Sequence, residues 1–337
     1  MARWRRVASI SLTVVLLLLA VAITATVGWR PFIGPAARPV TDRAFERTPT
    51  RLARGQYLVE GVNGCLGCHS DLDLKGAGLP PLAGREGSGR VWAAEGTPWL
   101  VAPNITPDHD TGAGGWSDDV MARAIREGIG HDGRALFPIM PYERYRSMSD
   151  EDLASIITYI RSLKPIRNRL PRTKAPFPLN RLINSAPQPI AAPVRAPDLS
   201  TTAKRGEYLV TMGACGDCHT PMDPQGQRMV GLEFAGGFPL QDANGATASA
   251  NITPDPSGIP YYDEALFLEV MRTGRVKARG LHSVMPWAYY RHMTDEDLKA
   301  AFAFLLTLKP VKHSVDNSLP PTKCRLCGYE HGGGERN

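Results

Sequence analysis

The chain has 337 residues, more than one ordinary hydrophobic core supports, so two domains are expected. Its 33 glycines and 29 prolines suit short helices joined by ordered loops and disfavour a large sheet. Of 39 basic and 33 acidic residues, seven arginines and two acids fall in the first fifty positions, so the body is nearly neutral, which excludes the clustered positive charge of a nucleic-acid-binding domain.

The N-terminus reads Met-Ala-Arg-Trp-Arg-Arg and then runs apolar from Val7 to Val27, interrupted only by serine and threonine. Twenty-one such residues can cross a hydrocarbon core as a helix, and Arg3, Arg5 and Arg6 hold the short tail in the cytoplasm. A retained membrane anchor over residues 1–28 is the expectation. The rival is a cleaved signal peptide, for which Ala20-Val21-Ala22 offers a small-residue site. Either way the body is delivered to the far side of the membrane. Residues 29–50 are polar and proline-containing, and read as a stalk.

Folded sequence begins near Arg51. Cys65-Leu-Gly-Cys68-His69 is a C-x-x-C-H motif, in which two thiols can form thioethers to haem vinyl groups and the adjacent imidazole can coordinate iron. Zinc or disulfide cysteines are the competing reading of one such motif. It returns, however, as Cys215-Gly-Asp-Cys218-His219, 150 positions later. The surroundings return with it. Arg54-Gly-Gln-Tyr57-Leu-Val59 recurs as Arg205-Gly-Glu-Tyr208-Leu-Val210, Asn104-Ile-Thr-Pro-Asp108 as Asn251-Ile-Thr-Pro-Asp255, and Met148-Ser-Asp-Glu-Asp-Leu153 as Met293-Thr-Asp-Glu-Asp-Leu298, at offsets of 151, 147 and 145. Self-similarity in constant order indicates a duplicated domain.

Each repeat reads as mostly helical. A helix is expected over Arg51–Asn63 and over Ala203–Met212, each leading into its cysteine motif. A middle helix is expected from Ser117 and from Tyr262 or Asp263. Ser149 and Thr294 read as N-caps of a last helix, with acids in the first turn. Apolar residues then follow helical spacing at Leu153, Ile156, Ile157, Ile160 and Leu163, and at Leu298, Ala301, Phe302, Leu305 and Leu308, before Pro165 and Pro310. Between the repeats, residues 170–202 hold seven prolines and little periodicity, as a partly stiff linker does.

A proximal histidine leaves one iron position open. The first repeat offers Met121, Met140, Met148, His109 and His131, and the second Met222, Met229, Met271, Met285, Met293, His282 and His292. Only Met140 with Met285 and Met148 with Met293 are equivalent under duplication. The latter pair precedes an N-cap and is explained as a hydrophobic staple to Leu153 or Leu298. Met140-Pro141 and Met285-Pro286 sit in loops and have no such role, so they are the candidates, with plain core methionine as the alternative. His282 aligns with Phe137 and is not expected to bind iron. For Asn104, Asn251, Thr106 and Thr253, contact with a haem propionate and ordinary turn chemistry stand as equal readings. Cys324-Arg-Leu-Cys327 lacks a following histidine. A disulfide or an idle pair is expected there, ahead of a metal clip using His331 or a contact with a partner protein.

The lead-in, the Asn-Ile-Thr-Pro-Asp loop and the Met-Pro loop together resemble the class I cytochromes c twice over, and in particular the membrane-bound cytochrome c subunits of periplasmic alcohol, gluconate and related dehydrogenases. The resemblance implies an all-α fold, a tandem of cytochrome c domains over residues 51–174 and 203–323, a linker at 175–202 and a C-terminal tail at 324–337. It implies thioethers at Cys65, Cys68, Cys215 and Cys218, proximal ligands His69 and His219, and distal ligands Met140 and Met285, holding two haem c groups. The function implied is electron transfer, not catalysis, in a respiratory chain. The donor would be a dehydrogenase or a quinol-oxidising complex, and the acceptor a cytochrome or terminal oxidase. The location implied is the bacterial inner membrane, with the haem domains periplasmic. Those relatives commonly carry three haem motifs and this chain has two, which leaves the partner dehydrogenase open. A dihaem enzyme of the peroxidase or thiosulfate-oxidising type, with one replaceable axial ligand, is the rival, and a haem-based sensor a third reading.

Overall fold

The computed structural model describes residues 2–93, 96–224, 226–242 and 245–337. Met1, the first residue of the expected anchor, lies outside the described residues. The longer helices, in chain order, are α1 (Ala2–Ala25), α2 (Pro49–Tyr57), α3 (Asp118–Glu127), α4 (Asp150–Ser162), α5 (Thr202–Met212), α6 (Glu264–Thr273) and α7 (Asp295–Leu305). Strands pair in antiparallel twos: β1 (Arg90–Val91) with β2 (Val101–Ala102), β3 (Pro239–Asp242) with β4 (Gly245–Ala248), β5 (Arg275–Val276) with β6 (Arg279–Gly280), and β7 (Pro321–Lys323) with β8 (Glu330–Gly332). The core is helical as expected, but the chain is not purely α. The loops between helices close into short backbone ladders, which are too brief to leave an alternating pattern in sequence.

The residues pack as two units. One comprises Met1–Arg43, Ser117–Arg146 and Lys174–Pro193. Within it, Arg3–Ala25 of α1 is 23 residues long with a mean hydropathy of 2.6, long and apolar enough to cross a membrane. The stalk is not loose at its start. Arg38 lays its two terminal nitrogens on Asp119 at 2.7 Å each and donates from Nε to Glu127 at 2.8 Å. The Thr41 amide also donates to Asp119, and Arg123 donates to the Arg38 carbonyl. Asp119 and Glu127 lie two turns apart on α3, which Ser117 caps by accepting from the Val120 amide. Part of the expected linker is also ordered: the short helix Leu179–Leu182 packs against the short helix Arg30–Ile33.

The other unit comprises Ala44–Trp116, Ser147–Thr173 and Val194–Asn337. Here α2 packs on α4, and α5 on α7. The Arg-Gly-x-Tyr motif explains both crossings. At Gly55 a Cβ would overlap the Ser155 carbonyl, and at Gly206 it would overlap that of Ala300, so only glycine permits the approach. Arg54 pairs with Asp152 at 2.8 Å and Arg205 with Asp297 at 2.6 Å. The tyrosines then exchange repeats: Tyr57 donates to Asp297, and Tyr208 to Asp152 at 2.7 Å. The two repeats are therefore tied by a reciprocal pair of hydrogen bonds. Ser149 and Thr294 cap α4 and α7 as expected, accepting from Asp152 and Asp297 amides, and Met148, Met293, Leu153 and Leu298 are all buried. Helix α2 starts at Pro49, earlier than expected, because Thr48 caps it and proline suits the first turn.

Candidate haem sites

Each cysteine motif opens on a residue in the left-handed region, Gly64 at φ 55° and Ala214 at φ 52°, and then turns helically over Cys65–Cys68 and Cys215–His219. Before the first motif, α2 widens into π geometry over Leu58–Val62, a feature often found beside functional sites. Cys65, Cys215 and Cys218 are not joined in disulfides.

The proximal candidates are built alike. His69 Nδ1 lies 2.8 Å from the Pro103 carbonyl, and His219 Nδ1 lies 2.7 Å from that of Ala250, at positions 147 apart. A carbonyl only accepts, so Nδ1 carries the proton and Nε2 keeps its lone pair. Burial lowers both imidazole pKa values, outweighing the carbonyl hydrogen bond, which keeps the rings neutral. The carbonyls of His69 and His219 in turn accept from Gly89 and Gly236 at 2.8 Å each. A neutral, oriented imidazole with a free Nε2 behind two thiols is the donor set that haem attachment needs. These residues fit the group.

Met140 lies in the first unit and Met285 in the second, and their backbones match. Met140 donates its amide to the Phe137 carbonyl at 3.1 Å and accepts from Tyr142 at 2.8 Å; Met285 donates to His282 at 3.0 Å and accepts from Trp287 at 2.8 Å. Pro141 and Pro286 have φ, ψ of −79°, 44° and −80°, 44°. In each case the aromatic two residues after the methionine packs where a glycine closes the middle helix. Gly128 at φ 74° has no room for a Cβ beneath Tyr142, nor does Gly274 at φ 66° beneath Trp287. Both methionines are half-buried, whereas Met148 is fully buried.

Asn104 and Thr106, and Asn251 and Thr253, resolve in favour of turn chemistry. Asn104 accepts from the Thr106 amide and hydroxyl and donates to the Ile166 carbonyl at 2.7 Å. Asn251 does the same with Thr253 and Val311, at 2.9 Å to the latter. Their polar groups are satisfied inside the chain. His282 Nδ1 sits 3.5 Å from Asp242. Cys324 and Cys327, where a disulfide or an idle pair was expected, are not joined in a disulfide. Sequence reasoning missed the reciprocal tyrosine–aspartate exchange, and it also missed His313, which lies buried against Cys324. The spacing His313-x10-Cys324-x2-Cys327-x3-His331 was the available signal.

Residues 52–164 match the cytochrome c family. Over 317 residues the chain is 26% identical to the fructose dehydrogenase cytochrome subunit of Gluconobacter japonicus, covering 88% of this chain and 59% of the relative. It is 26% identical to the cytochrome c subunit of the quinone-dependent alcohol dehydrogenase of Gluconobacter oxydans, covering 77% of this chain and 55% of that protein. It is 29% identical to a diheme cytochrome c-type protein of Cereibacter sphaeroides, covering 80% and 90% respectively. The chain thus spans less than two thirds of the length of the two dehydrogenase relatives.

Proposed function

We propose, for a chain whose residues 52–164 match the cytochrome c family and whose relatives include dehydrogenase cytochrome subunits, that it carries electrons through two covalently bound haems. The two sites are Cys65, Cys68, His69 and Met140, and Cys215, Cys218, His219 and Met285. They belong to two cytochrome c domains, 51–174 and 203–323, that arose by duplication. When bound, haem supplies a one-electron ferric/ferrous couple. The chain's own residues orient. The Pro103 and Ala250 carbonyls fix the proximal imidazoles, and Tyr142 and Trp287 anchor the methionine loops. Were Met140 and Met285 to supply the second ligands, no position would be left for a substrate, and the chain would act as a carrier and not as an enzyme.

The donor is a dehydrogenase, the class named for the fructose and alcohol relatives, and the acceptor a cytochrome or terminal oxidase. Helix α1 holds the protein in the inner membrane with both domains on the periplasmic side, where such haem is attached. The observation that carries this reading is the repetition of one donor set: an Nδ1-anchored histidine after a C-x-x-C turn, twice. The test is the mass of denatured protein. Two haems should survive unfolding, and Cys215→Ala with Cys218→Ala should leave one. Three retained haems, or none after acidified acetone, would overturn the assignment.

A further inference from the structure

The C-terminal tail ends in a cluster that electron transfer does not use. Strands β7 and β8 form a hairpin whose turn is Cys324-Arg-Leu-Cys327-Gly328. The Cys324 amide donates to the Tyr329 carbonyl at 2.8 Å, and the Gly328 amide to that of Cys324 at 3.1 Å. Gly328, at φ 74°, supplies the left-handed residue that closes this knuckle. His331 follows on β8, and His313 arrives from the segment after α7. One ligand atom from each of His313, Cys324, Cys327 and His331 lies within 4.8 Å of all the others. The four residues are 0%, 1%, 4% and 2% exposed.

We propose that these four side chains form a structural zinc site. His313 Nε2 is 3.4 Å from Cys324 Sγ, and His331 Nε2 is 3.4 Å from Cys327 Sγ. Around a tetrahedral zinc with its usual bond lengths, a nitrogen–sulfur edge is about 3.5 Å. Both rings already have the orientation that binding requires, since His313 Nδ1 faces the Ala235 carbonyl at 2.9 Å and His331 Nδ1 that of Gly332 at 3.1 Å. Each Nδ1 therefore carries the proton and each Nε2 presents a lone pair to the sulfurs, the outer-shell arrangement of zinc-bound histidine. Two thiolates and two imidazoles in a tetrahedron select zinc among common ions. A two-iron cluster, which divides its ligands between two metals, does not fit a nitrogen this close to each sulfur. Four buried protein ligands leave no open position, so the site is structural and not catalytic.

The site belongs to the second repeat alone. The residue equivalent to His313 is Asn168, which donates from Nδ2 to the Ser88 carbonyl at 2.9 Å, as His313 does to Ala235. Their amides donate to Thr111 and Ser257 at 2.9 Å each. A shared backbone clamp has thus acquired a metal ligand in one copy. The Ala235 that it grips is followed by Gly236, whose amide donates to the His219 carbonyl, and Gly237 leaves room only for the His313 ring. Zinc would lock the tail to the loop behind the second C-x-x-C-H motif.

The test uses the full-length protein purified from membranes. Zinc, measured by plasma mass spectrometry against covalent haem, is expected at one per chain, and zinc-edge X-ray absorption should show two sulfur and two nitrogen neighbours. Cys327→Ser should lower bound zinc at least about tenfold. His313→Asn is the cleaner variant, since asparagine already makes this clamp in the first repeat. It should fold with unchanged haem content yet lose zinc to a similar extent. Zinc absent from the wild type, a Cys324–Cys327 disulfide in the native protein, or full zinc retention by His313→Asn would overturn the proposal.

Discussion

Asp119 is fully buried beneath the Arg38 guanidinium, and the two groups set each other's charge. Burial alone would raise the carboxyl, but the Arg38 hydrogen bonds and the Thr41 amide outweigh it and hold the group at about 2, below 3.8. Because the folded value lies below the unfolded one, this contribution to stability is complete above about pH 4 and is lost as pH falls toward 2. The urea midpoint of the α3 unit should therefore drop between pH 5 and pH 2.5. Arg38→Ala should move that drop to higher pH, because burial then dominates. An unchanged acid profile in the variant would count against the docking of the stalk. None of this was legible in sequence. Arg38 looked like one more arginine of a polar stalk, and its partners lie 81 and 89 positions away.

Helices were the legible level. Ser149 and Thr294 stand where caps were expected, and Ser117 and Asp263 cap helices where the middle helices were expected to begin, because a side-chain oxygen followed by acids carries its own local reason. The duplicated Arg-Gly-x-Tyr motif was visible as repetition, but its cause was not. The glycine answers a helix that arrives about a hundred residues later, and the tyrosine answers the other repeat altogether, 240 positions away for Tyr57. Gly206→Ala should thus cost about 2 kcal/mol or more in chemical denaturation, with Gly55→Ala similar, since the crossing helices must separate. A cost no larger than that of an exposed alanine would mean that the crossing is loose. Helix α1 gives a further expectation. The native protein should need detergent for release, whereas a version beginning at Pro31, which retains Arg38, should be soluble with both haems attached. An N-terminus found near Ile23 in the mature protein would instead indicate a cleaved signal.

For the whole molecule, the repetition of C-x-x-C-H and of Met-Pro was legible from spacing, because each motif is written in consecutive residues. The tail was not, since its fourth ligand, His313, stands where the first repeat has asparagine. The central claim is the proposal that His69 with Met140, and His219 with Met285, would ligate the two irons. Imidazole stabilises ferric iron better than a thioether, so Met140→His should lower one midpoint potential and remove about half of the far-red methionine-to-iron band. Met148→Leu and Met293→Leu should leave that band intact, because leucine can still pack in each staple. Carbon monoxide binding to the reduced wild type is the most direct measurement. Slow or negligible binding, made rapid by Met140→Ala or Met285→Ala, is the predicted result. Rapid binding at either haem of the wild type would mean an open iron and would put a dihaem enzyme in place of the carrier.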